Sequence, residues 1–331
     1  MSDDTRPGAG FHDVARALIA EATKAPSSHN SQPWRFRIHD HHIDVLADWQ
    51  RSLPVVDPEG RELIISCGAV TGALEVTARA RGFTPETEVF PLPHDFDVLA
   101  RVRLGTRGKA APDDAACADA LATRRTNRAA FAGDPPDDAL WDDLAAAAAA
   151  HDVMLVAARE DTRETIADLV AEGDKEQLAD AAFRAELACW VHSTTLGSHD
   201  GMSAAAFGMP DILAPAARLA IRTFDMGDGI AADDARKIMQ GSPLLAALAT
   251  QGDGKPAWLA TGRALMDVLL RLERAGLAAA YLNQPIEVAS LRPKLGAALG
   301  LSGSPQLLLR IGQPSLPAPA SVRRPVEDVL A

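Results

Sequence analysis

A short loop near the start of the chain concentrates side chains that can hydrogen-bond to a ligand. The stretch APSSHNSQPW, residues 25–34, carries three serine hydroxyls, two amides and an imidazole. Pro26 and Pro33 restrict the backbone near both ends, so these groups can orient a polar ligand at little cost in conformational entropy. The loop is therefore a candidate ligand-binding segment.

A second candidate segment, TRRTNRAAF at residues 123–131, concentrates positive charge. Arg124, Arg125 and Arg128 place three guanidinium groups within five residues, together with the hydroxyl of Thr126, near the end of a predicted helix. Guanidinium forks match the oxygens of a phosphate monoester in charge and in geometry. The cluster alone also fits a solvated basic helix face, and this alternative stays open at this point.

The composition is that of an ordered globular protein. Of the 331 residues, 47% are hydrophobic and 24% are charged, far from the pattern of a disordered chain. The net charge of -12 would repel polyanions such as nucleic acid and acidic membrane surfaces. We therefore expect neither nucleic acid nor a membrane as a partner.

The cysteines and the first residues indicate a reducing compartment. Cys67, Cys117 and Cys189 lie far apart without a CxxC pair, which disfavours both a disulfide framework and a zinc site. The start MSDDTRPGAG is polar and acidic and lacks the basic and apolar regions of a signal peptide. We predict a soluble cytoplasmic protein with its thiols in the core.

The first half of the chain predicts a helix, a hairpin, a long helix and a strand. Residues 11–24 carry apolar residues at helical spacing, and Pro26 ends the helix. RFRIHD and HIDVLAD alternate apolar and polar residues around His41 and His42, as in two half-buried strands. Residues 59–81 are mostly apolar with internal glycines, which predicts a central helix packed closely on its neighbours. VLARVRLG then predicts a strand.

The second half repeats this order in part. After the linker TRGKAAPDD, we predict helices in CADALATRRTNRAAF and DDALWDDLAAAAAAH and a strand in VMLVAA. GRALMDVLLRLERAGL, from Gly262, matches GAVTGALEVTARARGF, from Gly68, in its first glycine and in the position of its last glycine. The closing strands end at Gly105 and Gly312, and each follows its long helix after a connecting segment of similar length. These correspondences predict a tandem duplication.

Two similar units in one chain would pack about a pseudo-twofold axis, as in a homodimer. A site between them could then take residues from both. We predict a first lobe at residues 1–108 and a second lobe at residues 115–331. Residues 173–257 have no counterpart in the first half and predict an insertion within the second lobe.

The two polar segments resemble the signatures RR[ST]xR and PSxxNxQPW of the nitroreductase family of FMN-dependent oxidoreductases. Together with HDGMSAAAFG, LNQP and RRPVEDVL, they resemble its single-chain, two-lobed Acg-like branch, from about residue 11 to residue 330. The resemblance implies an α+β fold, a nitroreductase-like three-layer sandwich that is duplicated as an intramolecular pseudo-dimer. It also implies that FMN lies where the arginine-rich segment of one lobe meets the PSxxNxQPW segment of the other.

The resemblance also implies a set of cofactor-binding residues. At the FMN phosphate these are Arg124, Arg125, Thr126, Arg128 and a C-terminal arginine, for which Arg324 is preferred over Arg323. Along the ribityl chain and the ring edge they are Pro26, Ser27, Ser28, Asn30 and, as a support, Gln32. Short hydroxyls and amides suit the carbonyls and nitrogens of the isoalloxazine ring. His29 either steers a substrate or makes a structural hydrogen bond.

The duplication is asymmetric in these signatures. The first half lacks an RRSxR-like segment, and the second half lacks a PSxxNxQPW copy. The chain therefore retains one complementary half of each signature, which predicts one FMN per chain. As a pseudo-dimer it would be a monomer or would pair further into a homodimer.

The expected chemistry is two-electron transfer to or from a small planar organic substrate. The flavin supplies this chemistry through N5, so no protein residue is expected as the catalytic group. No glycine-rich dinucleotide fingerprint is found, so NAD(P)H would bind transiently in the flavin pocket. The insertion resembles a lid over the flavin. Its candidate lid or substrate residues are His199, Asp200, Met202 and Phe207, and Asn283 and Gln284 could also reach the pocket.

Two other functions remain open at the level of sequence. The chain could bind and sequester FMN under a closed lid with little turnover, or it could be a helical interaction protein whose arginines serve a partner. A metal site at His39, Asp40, His41 and His42 is not expected, because adjacent strand residues point to opposite faces and the cluster lies at a hairpin tip.

Overall fold

The first half of the chain forms a four-stranded antiparallel sheet with two helices. The computed structural model describes residues 9–194, 197–207 and 209–331. The strand order is β1-β2-β4-β3. The elements are α1 (Ala9–Ala22), β1 (Trp34–Ile38), β2 (His42–Ala47), α2 (Arg61–Ala80), β3 (Phe83–Val89) and β4 (Val98–Arg107). The predicted hairpin, central helix and closing strand are confirmed.

The second half forms another antiparallel sheet and carries the remaining helices. The elements are α3 (Pro112–Thr123), β5 (Phe131–Ala132), α4 (Asp138–Ala149), β6 (Met154–Ala157), α5 (Arg163–Ala179), α6 (Ala181–Cys189), β7 (Val191–His192), β8 (Met202–Ser203), α7 (Ala214–Thr223), α8 (Gly227–Gln240), β9 (Leu244–Thr250), α9 (Lys255–Arg274), β10 (Ala278–Tyr281), α10 (Gln284–Glu287), α11 (Arg292–Ala298), β11 (Ser304–Pro314) and α12 (Val326–Val329).

The two sheets have the same topology. The second sheet runs β6-β9-β11-β10, and each strand occupies the position of its counterpart in β1-β2-β4-β3. In both halves a long helix leads into the edge strand, and the closing strand then pairs with that edge strand in antiparallel register. This equivalence confirms the α+β class and the tandem duplication, and it supports our proposed division of the lobes at residues 108–115.

The central helices α2 and α9 cross at a pair of glycines. A Cβ atom added to Gly68 would lie 2.1 Å from the carbonyl oxygen of Leu259, and one added to Gly262 would lie 1.9 Å from that of Ile65. The Cα atom of each glycine is itself within 3 Å of the Cβ position that would be added to the other. The pseudo-twofold axis therefore passes close to this crossing, where hydrogen is the only side chain that fits.

The insertion in the second lobe is placed differently from the prediction. It is the β6–β9 connection, residues 158–243, which replaces the three-residue turn 39–41 of the first hairpin. The predicted insertion, residues 173–257, wrongly included β9, a buried strand at the centre of the second sheet. LLAALAT is apolar on both faces, so it lacks the alternation that identifies a half-buried strand.

Two further expectations are tested by burial. Helix α2 is long and apolar enough to cross a membrane, but 89% of its most apolar window is buried inside the protein, as in a core helix. Cys67 and Cys117 are buried as predicted, whereas Cys189 is exposed at the end of α6, contrary to the expectation that all thiols lie in the core.

The C-terminal segment crosses from the second lobe to the first. After β11 the chain returns to β1, where Leu330 bridges to Phe36 and the backbone N–H of Ala331 donates to the Phe36 carbonyl at 2.8 Å. This crossing covers an edge strand that would otherwise expose unpaired backbone groups. It also carries Arg323 and Arg324 over the loop at residues 25–34.

Candidate functional site

The loop after α1 is held in an unusual backbone conformation. Residues Ser28–Asn30 form a single 3₁₀ turn, and His29, Asn30 and Gln32 have φ angles of 52°, 53° and 50°. Left-handed backbone costs energy for residues other than glycine and is retained where surrounding contacts fix it. One such contact is the hydroxyl of Ser27, which accepts from the Gln32 N–H at 2.9 Å. The loop is therefore rigidly shaped, with Pro26 buried at its start.

Ser28 connects this loop to the start of α2. Its hydroxyl donates to the carboxylate of Glu62 at 2.5 Å, and its backbone N–H points to the hydroxyl of Ser66 at 3.4 Å. Glu62 is buried in the first turn of α2, so the loop is fixed against the central helix.

The arginine-rich segment lies beside both the loop and strand β10. Thr126 bridges to Ala279 in β10, and the N–H of Asn127 donates to the Ala279 carbonyl at 3.1 Å. The guanidinium of Arg124 reaches the carbonyl of Lys24 at 3.3 Å. The structure therefore brings the two predicted signature segments together, with the first contributed by one lobe and the second by the other.

Arg323, and not the preferred Arg324, lies beside the arginine-rich segment. Arg323 donates to the side-chain oxygen of Asn30 at 2.8 Å and to the carbonyls of Lys24 and Ala25 at 3.0 and 3.2 Å, beside Arg124. Arg324 points the other way, towards the carbonyl of Gln32 and the carboxylate of Asp48. The structure therefore favours Arg323 over the predicted Arg324 as the residue beside the arginine cluster, because adjacent residues of an extended segment face opposite sides.

Three guanidinium groups are concentrated at this point without an acidic partner. Burial, together with the charges of Arg124 and Arg125, lowers the pKa of Arg323 to about 9. Burial also lowers the pKa of Arg124. Within residues 9–194, 197–207 and 209–331, no carboxylate lies within ion-pair distance of these three side chains. Such a cluster favours an anion.

Several polar atoms around the cluster are buried and lack a partner in the described part of the chain. They are the Nε atoms of Arg124 and Arg323 and the hydroxyl of Tyr281, the last residue of β10. Burying a polar group without a hydrogen bond costs about 1–3 kcal/mol, so these atoms indicate a polar ligand. Their chemistry fits a ligand that offers acceptor oxygens, as a phosphate ester does.

Arg128 lies close enough to both His29 and Tyr281 for its charge to influence them. Burial lowers the pKa of His29 to about 4, although Glu62 opposes this shift, so the imidazole is neutral at physiological pH. The His29 ring makes no hydrogen bond to any described residue, so the structural hydrogen bond considered above has no partner there. Arg128 exposes surface to solvent, yet the surrounding protein lowers the pKa of its guanidinium through burial, as expected for a residue on the wall of an open cleft.

The insertion reaches the loop at residues 25–34 through its central segment. The side-chain amide of Gln32 donates to the carbonyl of His199 at 2.9 Å, and that of Asn30 donates to the carbonyl of Gly201 at 2.9 Å. Asp200 forms an ion pair with Arg51. Burial raises the pKa of Asp200, but the hydrogen bond and charge of Arg51 outweigh this and hold the pKa below its ordinary value.

The predicted lid residues have different positions. Met202 is buried, and its sulfur lies 3.7 Å from the guanidinium of Arg128, so it is at the site. The His199 side chain is exposed, and Asp200 is committed to Arg51 and to His192 at 2.9 Å. The backbone carbonyl of His199 and the carboxylate of Asp200 attach the insertion to Gln32 and Arg51, and the role of both residues towards the flavin or the substrate stays a prediction. The Phe207 side chain lies outside the described residues.

The LNQP segment is also divided between two locations. Asn283 donates to Glu62 at 3.2 Å and therefore lies next to Ser28. Gln284 donates to Asp174 and Asp234 at 2.9 and 3.2 Å, between α5 and α8. The side chain of Gln284 is therefore engaged with the helices of the insertion, and its reach into the pocket stays a prediction, since its partner Asp234 also acts on Arg128.

The sequence analysis did not identify Arg51, Glu62 and Tyr281 as residues of this region, and it ranked Arg323 below Arg324. Glu62 and Arg51 have no distinguishing local motif in the sequence. Tyr281 is the single tyrosine of the chain and directly precedes LNQP, so its identity was a usable signal.

The hairpin histidines form a cluster of their own. The ligand atoms of His39, His42 and Asp44 lie within 4.8 Å of one another, since His39 and His42 face each other across the turn. The argument from opposite strand faces therefore does not apply to these two residues. Arg101 donates to both oxygens of Asp44 at 2.7 and 2.9 Å, so this carboxylate is already paired with a cation.

The chain is similar to known nitroreductases in sequence and in structure. No model of a known protein family matches the chain. The Mycobacterium tuberculosis H37Rv protein named "Putative NAD(P)H nitroreductase acg" is 32% identical over 324 residues, covering 96% of this chain and 95% of that protein. A second protein of that strain, "Putative NAD(P)H nitroreductase Rv3131", is 32% identical over 327 residues, covering 96% and 91%.

Solved structures of lower similarity also match. The FMN and NADPH-dependent nitroreductase NfnB from a Sphingopyxis strain has a TM-score of 0.44 and 20% identity, covering 65% of this chain and 97% of that chain. The FMN-dependent nitroreductase NfnB from Mycobacterium smegmatis, solved in complex with NADPH, has a TM-score of 0.39 and 15% identity, covering 65% and 92%.

Proposed function

Because this chain belongs to the nitroreductase family, in the branch of the mycobacterial Acg proteins, we propose that it is an FMN-dependent oxidoreductase acting on a small planar organic substrate. The observation that carries the proposal is the meeting of an unpaired arginine cluster from the second lobe with the polar loop of the first lobe. FMN supplies two-electron chemistry when it is bound, through N5 of its ring. The protein residues bind it, orient it and control access.

The cluster of Arg124, Arg125 and Arg323 is proposed to hold the phosphate. A dianion would relieve the mutual repulsion of these cations and would accept from the unpartnered Nε atoms of Arg124 and Arg323. Thr126 is proposed to add its hydroxyl, since the backbone bridge to Ala279 keeps it in the same segment. Arg128 is proposed to lie nearer the ring, beside His29.

The loop at residues 26–32 is proposed to hold the ribityl chain and the ring edge. Its left-handed residues are fixed by contacts with α2, with the C-terminal segment and with the insertion. Such a loop is organised before the ligand arrives, which reduces the entropy that binding must overcome. Tyr281, with its unpartnered hydroxyl, is proposed to donate to the ligand from the opposite wall.

One FMN per chain follows from the asymmetry of the two lobes. In the second lobe, α4 ends at Ala149 and β6 begins at Met154, so no room is left for a counterpart of the ten-residue polar loop. Residues 1–24 carry arginine only at positions 6 and 16, so they contain no RRSxR-like segment. The pseudo-symmetric second site therefore lacks both components.

The proposed setting is the cytoplasm, with NAD(P)H as a transient electron donor in the flavin pocket. The negative net charge disfavours nucleic acid and acidic membranes as partners. The chain is proposed to act as a monomeric pseudo-dimer or as a homodimer of such chains.

The first experiment is the visible spectrum of the purified protein with the flavin content measured per chain. We expect a yellow protein, or a colourless one that takes up FMN to one equivalent. The double substitution Arg124→Ala and Arg125→Ala should reduce FMN affinity by about tenfold or more for each charged hydrogen bond lost. Arg159→Ala, on the exposed surface, is the matched control and should retain full occupancy. Full occupancy in the double variant would contradict the phosphate assignment.

A second candidate function, sequestration of FMN with little turnover, is favoured by the way the insertion is attached. Three contacts join it to the loop region, from Asn30, Gln32 and Arg51. If these contacts keep the lid closed, reductants would be excluded. Stopped-flow reduction with NADH and NADPH separates the two functions: an oxidoreductase is reduced by one of them, whereas a sequestering protein is reduced only by light or dithionite. Asp200→Asn should accelerate reduction if lid closure limits access.

A further inference from the structure

A buried carboxylate lies directly behind the polar loop and receives several hydrogen bonds. Glu62 is only 4% exposed, and its side chain accepts from the Ser28 hydroxyl at 2.5 Å and the Asn283 amide at 3.2 Å. The guanidinium of Arg61 donates to it at 3.1 Å. Three donors, one of them charged, stabilise the ionised form of a carboxyl group.

A second carboxyl group, that of Glu287, contacts Glu62. It is the last residue of α10, and one of its oxygens accepts from the Gln177 amide at 2.6 Å. Asn283 brings it to Glu62, because its side-chain amide donates to Glu62 while its backbone carbonyl accepts from the Glu287 N–H at 2.9 Å, and a hydrogen bond with Glu62 helps to raise the pKa of Glu287. Two carboxyl groups in contact in a buried site do not both ionise, because like charges repel strongly there.

The hydrogen bonds indicate which of the two carries the proton. Glu62 has three donors, whereas Glu287 has one, on a single oxygen, which leaves its other oxygen free to donate. The Asn283 amide is fixed in this orientation because its oxygen accepts from the Leu308 N–H at 3.1 Å. Burial raises the pKa of Glu287 well above its ordinary value, and the charge of Glu62 raises it further.

We propose that Glu62 and Glu287 share one proton, carried by Glu287, and that the ionised Glu62 fixes Ser28 as a hydrogen-bond acceptor towards the ligand. The single hydroxyl hydrogen of Ser28 is used on Glu62, so its oxygen can only accept from a ligand. Ser28 would then select a planar heterocycle with an N–H donor at its edge, as in the imide of an isoalloxazine ring. This selection depends on the proposed FMN site, whereas the shared proton does not.

Other ionisable groups also face the pair. Arg61 is the cation in contact, while Asp57 lies on the loop before α2 and His29 and Tyr281 lie on the cleft side. Burial and the charge of Glu62 raise the pKa of Asp57 to about 6, so this group also titrates in the pH range of interest. Experiments on the pair therefore need variants that separate its proton from that of Asp57.

The shared proton is tested on the protein without flavin. A carboxyl group whose pKa is raised on folding stabilises the protein fully below its ordinary pKa of 4.5, and this contribution is lost as the pH rises towards the folded value. Between pH 4.5 and the folded pKa, the folding equilibrium constant of wild type should therefore fall by up to about tenfold for each pH unit. This fall should be missing in Glu287→Gln. Asp57→Asn should retain the part of the slope that is due to the pair. Equal slopes in wild type and Glu287→Gln would overturn the shared proton.

Infrared spectroscopy provides a second readout that does not need the variant to be stable over a pH range. Asp174, whose pKa burial raises to about 7, also carries a proton part of the time at pH 7, so the readout is the difference spectrum of wild type minus Glu287→Gln, in which its band cancels. That difference should show the carbonyl band of one protonated carboxyl group; if Glu287→Gln fails to fold, Glu62→Gln/Glu287→Gln takes its place. Absence of the band from the difference spectrum would assign the proton elsewhere and overturn the inference.

The orientation of Ser28 is tested by ligand selection with FMN and FMN methylated at its imide nitrogen. Wild type and Glu287→Gln should bind FMN more tightly than the methylated form by about tenfold, since one hydrogen bond is lost. In Glu62→Gln the side-chain amide can donate to Ser28, so the preference should fall below about threefold. Equal binding of both ligands by wild type would overturn the inference and leave the proposed function intact. Failure to bind either ligand would overturn the proposed function, with the proton readout still interpretable.

Discussion

The distinction between Arg323 and Arg324 gives the sharpest prediction for the proposed cofactor site. The side chain of Arg323 joins the cluster of Arg124 and Arg125, whereas that of Arg324 faces Asp48. We expect Arg323→Gln to weaken FMN binding much more than Arg324→Gln does. Both variants remove one positive charge from the same segment, so each is the control for the other.

The expected magnitude follows from the contacts and the charges. A hydrogen bond from a guanidinium to a phosphate contributes about 1.5–3 kcal/mol, which corresponds to about 10- to 150-fold in FMN affinity. Arg323 also orients Asn30 at 2.8 Å, so the larger part of this range is expected. Arg324→Gln should change FMN affinity by less than about threefold, because its guanidinium is engaged with the Gln32 carbonyl at 3.1 Å and the Asp48 carboxylate at 3.6 Å and does not join the arginine cluster.

The flavin-free protein provides an independent check. Burial and the neighbouring cations together lower the pKa of Arg323 to about 9, so its charge is costly when no anion is bound. Removing it relieves repulsion but also removes hydrogen bonds to the carbonyls of Lys24 and Ala25. We expect these effects largely to offset each other, with little change in the unfolding temperature without FMN and a clear loss of stabilisation by FMN.

The assay is a titration of flavin-free protein with FMN, followed by the quenching of flavin fluorescence, together with thermal unfolding with and without FMN. Affinity should decrease with added salt in wild type and less steeply in Arg323→Gln. An equal loss of affinity in the two variants, or a larger loss in Arg324→Gln, would refute the proposed geometry of the phosphate site.

Two further predictions concern the loop and the helix crossing. Burial lowers the pKa of His29 from 6.5 to about 4, so its NMR signals should not titrate between pH 5.5 and 8, with the assignment made by comparison with His29→Asn. The contribution of the neutral imidazole to stability is lost as the pH falls from 6.5 towards 4, because the unfolded chain takes up the proton first. A midpoint near 6.5 would contradict the buried, neutral imidazole. Gly262→Ala places a Cβ atom 1.9 Å from the Ile65 carbonyl and should destabilise the protein by about 3 kcal/mol or more in chemical denaturation. Gly229→Ala, with open space around the new methyl group in α8, should stabilise it by up to about 1 kcal/mol, and equal effects of the two substitutions would exclude the tight crossing.

Local sequence patterns predicted the elements whose residues carry their own signal. The loop at residues 25–34 has a specific order of prolines, hydroxyls and amides, and the matched glycines at 68 and 262 report a close approach that only glycine allows. The alternating hairpin and the long apolar helix were also predictable, because each has the periodicity of its structure. These signals are all contained within short segments.

The remaining features depend on contacts between distant segments. Strand β9 is apolar on both faces, so its sequence does not distinguish it from part of a helix, and the insertion was placed too late in the chain. The choice between Arg323 and Arg324 depends on how the C-terminal segment crosses to β1. Glu62, Glu287 and Tyr281 are brought together by the packing of α2, α10 and β10, which no local pattern encodes.

The crossing of α2 and α9 has a consequence for how this protein can change. In a dimer of identical subunits, one mutation alters both sides of the axis at once. Here a substitution at Gly68 leaves Gly262 as it was, yet each added methyl group would collide with the backbone of the other helix. These two positions therefore remain mutually constrained, whereas the loops around them can diverge independently, as the 86-residue connection at 158–243 and the three-residue turn at 39–41 have done.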